Sequence, residues 1–404
     1  MRMSYDFVII GAGIIGLTVG QELRRRHPSA SIAILEKESD IGMHASGRNS
    51  GVVHSGVYYG TSTLKAKMCA SGAARMRLFA EEHRIKFSRK GKVIIATSEQ
   101  ELSTLDRLLA NAKANNIRAD RLDSTEINKI EPHASVYKAG IFCPDTSVID
   151  SNGVIYKIRE LLEQSKVNLF FDVTIKDVSV GNKKIRTLNG DFSFGFLFNC
   201  AGAGADIVAK LFGHSKDYSL IPFKGIYYKL RSEKRYLVQG NIYPVPDINL
   251  PFLGVHLTRV VNGDVYVGPT AIPALGRENY GILQGIKLHE GLVIGGQLFS
   301  MYKANNDNFR RLVHAEIKKY YKPYFVRAAR KLVSGLVSMD FFPSSKVGIR
   351  PQLVNVKTRS LEMDYVVERD EKSLHVLNAI SPAFTSSFAF SEWLVTEAEQ
   401  GAGR

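Results

Sequence analysis

The chain has 404 residues, 45% hydrophobic and 23% charged, ordinary globular proportions that exclude a disordered or low-complexity protein. Its 54 Lys and Arg against 39 Asp and Glu leave a net charge of +15, a field that attracts anions. The basic residues are scattered and no zinc-finger or RNA-binding spacing accompanies them, so nucleic acid is not an expected partner.

Residues 7–10 read as a short apolar strand, followed by the turn Gly11-Ala12-Gly13-Ile14-Ile15-Gly16 and a helix over 17–26. A second strand over 31–35 ends in Glu36, twenty residues beyond Gly16. This order of strand, Gly-rich turn, helix, strand and acid is the dinucleotide-binding pattern. Gly11 permits the tight turn, Gly13 lets the backbone approach a pyrophosphate, and Gly16 lets the helix pack on the strand. The helix N-terminus offers N–H groups to the phosphates, and Glu36 can accept from a ribose. Residues 41–60 carry no helical period and are rich in Gly, Ser and His, so they read as a long functional loop instead of a third βα unit. A nicotinamide domain would continue the alternation; the interruption favours FAD.

Helices are expected over 64–84, 99–115 and 151–164, and strands over 91–97, 167–171 and 194–199. The last of these runs into Cys200-Ala201-Gly202-Ala203-Gly204, a small-residue turn returning the chain to the first sheet. Antiparallel strands follow at 225–230, 254–261 and 264–267. Helices dominate 281–337, strands recur near 353, 364–368 and 375–378, and a last helix covers 384–399. The expected architecture is α/β. A Rossmann-like FAD domain is assembled from 1–85, 145–215 and 335–404. An α+β substrate domain on a mixed or antiparallel sheet, 86–144 and 216–334, is inserted into it. Cys69, Cys143 and Cys200 form no CxxC pair, which points to a reducing compartment, and no run approaches the roughly 20 apolar residues of a membrane span. With no signal-peptide pattern at the start, a cytoplasmic location is expected. Residues 317–332 mix aromatics with Lys and Arg. They could rest on the inner face of an anionic membrane, though Pro323 breaks the stretch and a core-facing helix is the better expectation.

Within the long loop, Gly47, Gly51 and Gly56 let the backbone pass close to a ring, while Ser46, Arg48, Asn49 and Ser50 offer hydrogen bonds to phosphate or flavin edges. His54 can take the proton of a substrate hydroxyl as hydride leaves the adjacent carbon, or it can simply pack. Arg350, in Gly348-Ile349-Arg350-Pro351, is placed to bind a carboxylate in bidentate fashion, with a surface ion pair as the alternative. Lys224, His256 and Arg259 are further cationic candidates. Ser381, Thr385 and Ser386 cluster at the start of the last helix, where they either cap it or stabilise negative charge on a reduced flavin. The candidate cofactor set is Gly11, Gly13, Ile14, Ile15, Gly16, Glu36, Lys37, Ser46, Arg48, Asn49, Ser50, Gly51, Val173, Ala201, Gly202, Gly348, Ser381, Thr385 and Ser386. The candidate substrate set is His54, Lys224, Tyr227, His256, Arg259, Arg350 and Phe384. No metal site is expected.

These motifs, with residues 49–59 (NSGVVHSGVYY), 222–225 (PFKG), 240–247 (GNIYPVPD), 251–258 (PFLGVHLT) and Gly268-Pro269, carry a resemblance over nearly the whole length. The chain resembles the FAD-dependent glycine oxidase and D-amino-acid oxidase superfamily, and within it the L-2-hydroxyglutarate dehydrogenase/oxidase group. The resemblance implies oxidation of a 2-hydroxy dicarboxylate to the 2-oxo acid by hydride transfer from C2 to flavin N5. His54 would be the proton acceptor and Arg350 a carboxylate ligand. O2, a quinone or a carrier flavoprotein would take the electrons. Four positions depart from the group's pattern: Ile226 in place of an acid, Thr270 of Asn, Pro351 of Ala and Phe384 of Ala. They keep amino-acid or secondary-amine oxidation open as a second reading. A flavin-binding protein without catalysis is a third.

Overall fold

The computed structural model describes residues 2–247 and 252–401; Pro251, which heads one of the motifs above, lies outside them. The first strand, Arg2–Ile10, is the centre of an eight-stranded sheet, and its Val8, Ile9 and Ile10 are buried because both faces of the sheet are covered. It pairs in parallel with Ile32–Leu35 on one side and with Gly190–Asn199 on the other. The strand beyond Ile32–Leu35 is not the next in sequence: Asn168–Phe170 takes that place. The interrupted alternation after Glu36 therefore appears as a sheet completed by distant chain. Ser373–Asn378 adds to Gly190–Asn199 at Leu197–Asn199, and Val366–Arg369 follows it.

Four helices cover one face of this sheet. Ile14–Arg26 packs against the last helix, Ala383–Gly401, which also packs on Leu64–Glu82, and Ser151–Gln164 lies beside the first. Two starts are fixed by side-chain caps: Thr63 accepts from the Ala66 N–H and Asp150 from the Gly153 N–H. Their apolar sides meet in one core that includes Leu17, Val19, Met76, Ile158 and Phe390.

The second sheet has ten strands and two long neighbours at its heart, Tyr218–Leu230 and Phe341–Asn355, antiparallel from Tyr218 opposite Asn355 to Leu230 opposite Phe341. Val265–Gly268, His256–Arg259 and Asn241–Pro244 continue it, and Lys92–Ile95 joins Asn241–Pro244 in parallel, so the sheet is mixed. Phe341–Asn355 follows residue 335 in the chain, yet all its pairing is within this sheet. Of residues 317–332, Phe325, Val326, Ala329 and Leu332 are buried beneath the sheet in the helix Lys322–Arg330 and just after it, with Pro323 in its first turn. Ile317, Tyr320, Tyr321 and Tyr324 are exposed.

Candidate active site

Between the two sheets runs a cavity of about 820 Å³, within the range of small-molecule sites. Its nucleotide end is built by the first turn. Gly11 has φ +101°, and a Cβ there would lie 2.5 Å from the Cys200 carbonyl oxygen, so only glycine lets the two turns close on each other. Gly16 is not in the cavity wall; a Cβ on it would fall on the Gly11 carbonyl, so its part is packing, as its place in the pattern requires. Glu36 is held ready by two backbone donors, Ala12 N–H at 2.7 Å and Glu38 N–H at 3.0 Å. Ser46 reaches back to the helix start, its hydroxyl accepting from the Ile14 N–H at 2.9 Å.

Most of the candidate cofactor residues converge here. Gly13, Ile14, Ile15, Lys37, Arg48, Asn49, Ser50, Val173, Ala201, Gly202, Gly348, Ser381 and Thr385 all line the cavity. Asn49 does so with its polar atoms engaged in the loop, donating to the Ser46 carbonyl and accepting from Gly51 N–H and Ser151. Gly51 and Ser386 are corrections. Gly51 shapes the loop against Ile149, and the Ser386 hydroxyl is buried against Tyr365 and the helix's own Pro382 carbonyl.

The other end of the cavity is made where the second sheet meets the long loop. Antiparallel register puts Gly225 opposite Gly348 and Phe223 opposite Arg350, so Phe223, Gly225, Gly348 and Arg350 share one face. Lys224 and Ile226 must then point the other way. Lys224 indeed donates to the Gly281 carbonyl at 2.6 Å outside the cavity. Arg259 is three residues from His256 on its strand, hence on the opposite face, and donates to the Val238 carbonyl. Neither Lys224 nor Arg259 is among the residues that line the cavity. Of the four departures, Pro351 and Phe384 line the cavity, while Ile226 and Thr270 do not. Thr270 instead bonds Ile226 N–H and the Lys224 carbonyl, stitching the sheet.

His54, Tyr227, His256, Arg350 and Phe384 come together although the first and last stand 330 positions apart. His54 is tied to the last helix by its own N–H, which donates to Thr385 Oγ1 at 3.1 Å. Burial drives its pKa down to about 3, helped by the charges of Lys92, His256 and Arg350, so the imidazole is neutral and can accept a proton. His256, stacked on Tyr243 at 3.8 Å, is lowered to about 3 mainly by burial as well. Lys65, near the same end, is lowered to about 8 by burial, opposed by Asp364.

Sequence reasoning passed over several residues of this wall. Tyr58, Tyr59, Lys65 and Tyr243 line the cavity, and Tyr58, Tyr59 and Tyr243 stood inside quoted motifs without a role. At the nucleotide end Arg277 forks onto Asp206, with Nη2 to Oδ2 at 2.9 Å, and Lys37 sits among Glu38, His44 and Glu278, 2.6 Å from the last. Tyr280 stacks with Arg48 at 4.1 Å and bonds His44. This strap over the cavity gave no signal beyond scattered charges.

The family described as FAD dependent oxidoreductase matches residues 6–397. The chain belongs to this family. It is therefore an oxidoreductase and its cofactor is FAD, for which the glycine turn, Glu36 and the lined cavity are a fitting cradle. Among curated relatives, this flavoenzyme is 36% identical to the L-2-hydroxyglutarate dehydrogenase of Indibacter alkaliphilus over 97% of its own length and 99% of that protein. It is 32% identical to the mitochondrial L-2-hydroxyglutarate dehydrogenase of Homo sapiens, covering 98% and 89% of the two chains. The structure is similar to L-alpha-glycerophosphate oxidase from Mycoplasma pneumoniae, with a TM-score of 0.75 at 20% identity over 98% and 95% of the chains. Glycine oxidase from Geobacillus kaustophilus gives 0.72 at 17% over 98% and 95%. At these identities the two structures bear on the fold alone.

Proposed function

We propose that this flavoenzyme oxidises L-2-hydroxyglutarate to 2-oxoglutarate. The observation that carries the proposal is the convergence of a neutral, buried His54 and the guanidinium of Arg350 on the cavity that also holds the Gly11 turn and Glu36. The full-length similarity to L-2-hydroxyglutarate dehydrogenases supports the choice of substrate. FAD, when bound, supplies the hydride acceptor. Arg350 binds one substrate carboxylate and fixes C2 relative to the flavin. His54 accepts the proton of the C2 hydroxyl, and its low proton affinity lets it release that proton once product has formed. Gly225 and Gly348, facing each other across two strands, leave room for the substrate. Anaerobic addition of L-2-hydroxyglutarate is expected to bleach the visible flavin absorbance. A flavin that stays oxidised with it, but bleaches with an amino acid or secondary amine, would transfer the assignment to amine oxidation, which Phe384 and Pro351 in the cavity wall would then explain.

A membrane quinone is the electron acceptor we favour over O2 or a carrier flavoprotein, with the protein on the inner face of a membrane. No described helix is long and apolar enough to cross a bilayer. The support comes from the helix Leu288–Ala304, whose Leu288, Leu292 and Phe299 lie on one face and are 81%, 69% and 64% exposed, beside Ile282 at 90%. Cosedimentation with anionic vesicles, set against neutral ones, tests the contact; equal recovery in the supernatant of both would remove it.

A further inference from the structure

Between the second sheet and the helix Leu288–Ala304 the chain makes a loop that the chemistry above does not use. Residues 276–285 close on themselves. Gly276 lies against the Gly285 carbonyl, and Gly285 has φ +82° with the Glu278 carbonyl where a Cβ would stand. The Asn279 side-chain amide, 3% exposed, donates to the carbonyls of Gly281 and Gln284 at 3.0 and 2.8 Å. A compact loop with its ends together and its inner polar groups engaged moves as one body. One side of it belongs to the second sheet: Ala274 N–H donates to the Pro222 carbonyl, and Lys224 Nζ to that of Gly281.

The other side is fastened to the first domain at two places. In the segment after Ile32–Leu35, Lys37 meets Glu278 at 2.6 Å, His44 Nδ1 bonds the Tyr280 hydroxyl at 2.7 Å, and the Arg48 guanidinium lies 4.1 Å from the centre of the Tyr280 ring. In the segment after Gly190–Asn199, Arg277 forks onto Asp206, with Nη2 to Oδ2 at 2.9 Å, and reaches the Ala203 carbonyl. The strand Arg2–Ile10 runs between those two strands, so the segments stand on either side of the Gly11 turn and the loop crosses above it. Arg277, Glu278, Tyr280 and Gly285 are accordingly part of the cavity wall. The two fastenings differ in kind. Lys37 and Glu278 are 49% and 40% exposed, so water screens them. Arg277 and Asp206 are 14% and 1% exposed, and parting them leaves a buried carboxylate with only the Leu220 N–H, at 3.1 Å, to meet it.

We propose that this loop is a clasp over the nucleotide half of FAD, with Arg277 as its latch on Asp206, so that the cofactor enters or leaves only when that pair parts. The clasp sets how long FAD stays, whichever substrate the enzyme oxidises.

The test uses the holoenzyme in an excess of isotopically labelled FAD, with the bound flavin read by mass spectrometry over time. Arg277→Ala is expected to exchange its FAD about tenfold faster than wild type or more. Asp206→Asn is expected to do the same, and the double variant to be no faster than either alone, since both remove one latch. A second arm holds the clasp shut. Lys37→Cys and Glu278→Cys, made together and bridged by a short bismaleimide, tie the loop to the first domain; Cys69, Cys143 and Cys200 are buried, which confines the reagent to the introduced pair. The bridged holoenzyme is expected to lose exchange, its flavin staying unlabelled over the time in which the unbridged variant exchanges fully. An Arg277→Ala protein that exchanges at the wild-type rate, or a bridged protein that exchanges as fast as the unbridged one, overturns the proposal. Where Arg277→Ala does not fold with its flavin, the bridged arm decides alone. No turnover is needed, so a failure of L-2-hydroxyglutarate to reduce the flavin leaves this test intact.

Discussion

At the nucleotide end of the cavity the polar groups are already paired: Glu36 with two backbone donors, Ser46 with the helix start, Arg277 with Asp206. At the substrate end His54 Nδ1, the Tyr58 hydroxyl and Lys92 Nζ are buried without such partners among the described residues. Paired groups hold a shape in advance, whereas unpaired ones in a low-dielectric setting are tuned by whatever charge stands near them. The first end is a preformed cradle. The second is an electrostatic chamber whose behaviour depends on what enters.

That contrast can be broken by substitution. Gly11→Val has the largest expected effect, because it adds a side chain at φ +101° against the Cys200 carbonyl. The protein should emerge without flavin absorbance, and a fully yellow variant would show that the cradle is not set by its backbone. His54→Ala should keep its flavin and slow anaerobic reduction by about 10²-fold or more, the scale of general-base catalysis; stopped-flow traces as fast as wild type would remove His54 from the chemistry. Arg350→Ala loses a charge-assisted contact of about 1.5–3 kcal/mol, so saturation should need roughly 10- to 150-fold more substrate. Unchanged saturation would free Arg350 from substrate binding. Arg259→Gln should move saturation by about twofold or less, since the side chain lies outside the cavity. A larger change would mean that the face assigned to it is wrong.

The cradle was legible because its chemistry is local. Strand, glycines, helix and acid occupy residues 2–36, and the loop after them reads as a loop for want of any period. The helix Ser151–Gln164 was legible to the residue through its apolar period. The chamber was legible only in part. His54 and Arg350 stood out by type and motif, and Tyr227, His256 and Phe384 joined them. Lys224 and Arg259 were drawn in by charge, and Lys224 takes its place from pairing with Ile272 and Ile349, 48 and 125 residues further on. Lys92 has no motif at all. A lysine in an apolar strand reads as an edge residue until Tyr58 and Tyr243, 34 positions upstream and 151 downstream, are seen to enclose it.

The first sheet has a consequence for how the protein is made. Its neighbours to Arg2–Ile10 and Ile32–Leu35 arrive at residues 168–170 and 190–199, and Ser373–Asn378 and the helix Ala383–Gly401 close it. At synthesis rates of about 5–20 residues per second, the opening βαβ segment waits roughly 20 to 70 seconds for its last partners. Its apolar Val8, Ile9 and Ile10 stay uncovered meanwhile, so the nascent chain depends on chaperones longer than a consecutive Rossmann domain would. Flavin capture is then a late event, and nested truncations ending before residue 373 are expected to bind none; a truncation that retained flavin would show that the cradle assembles earlier than its sheet.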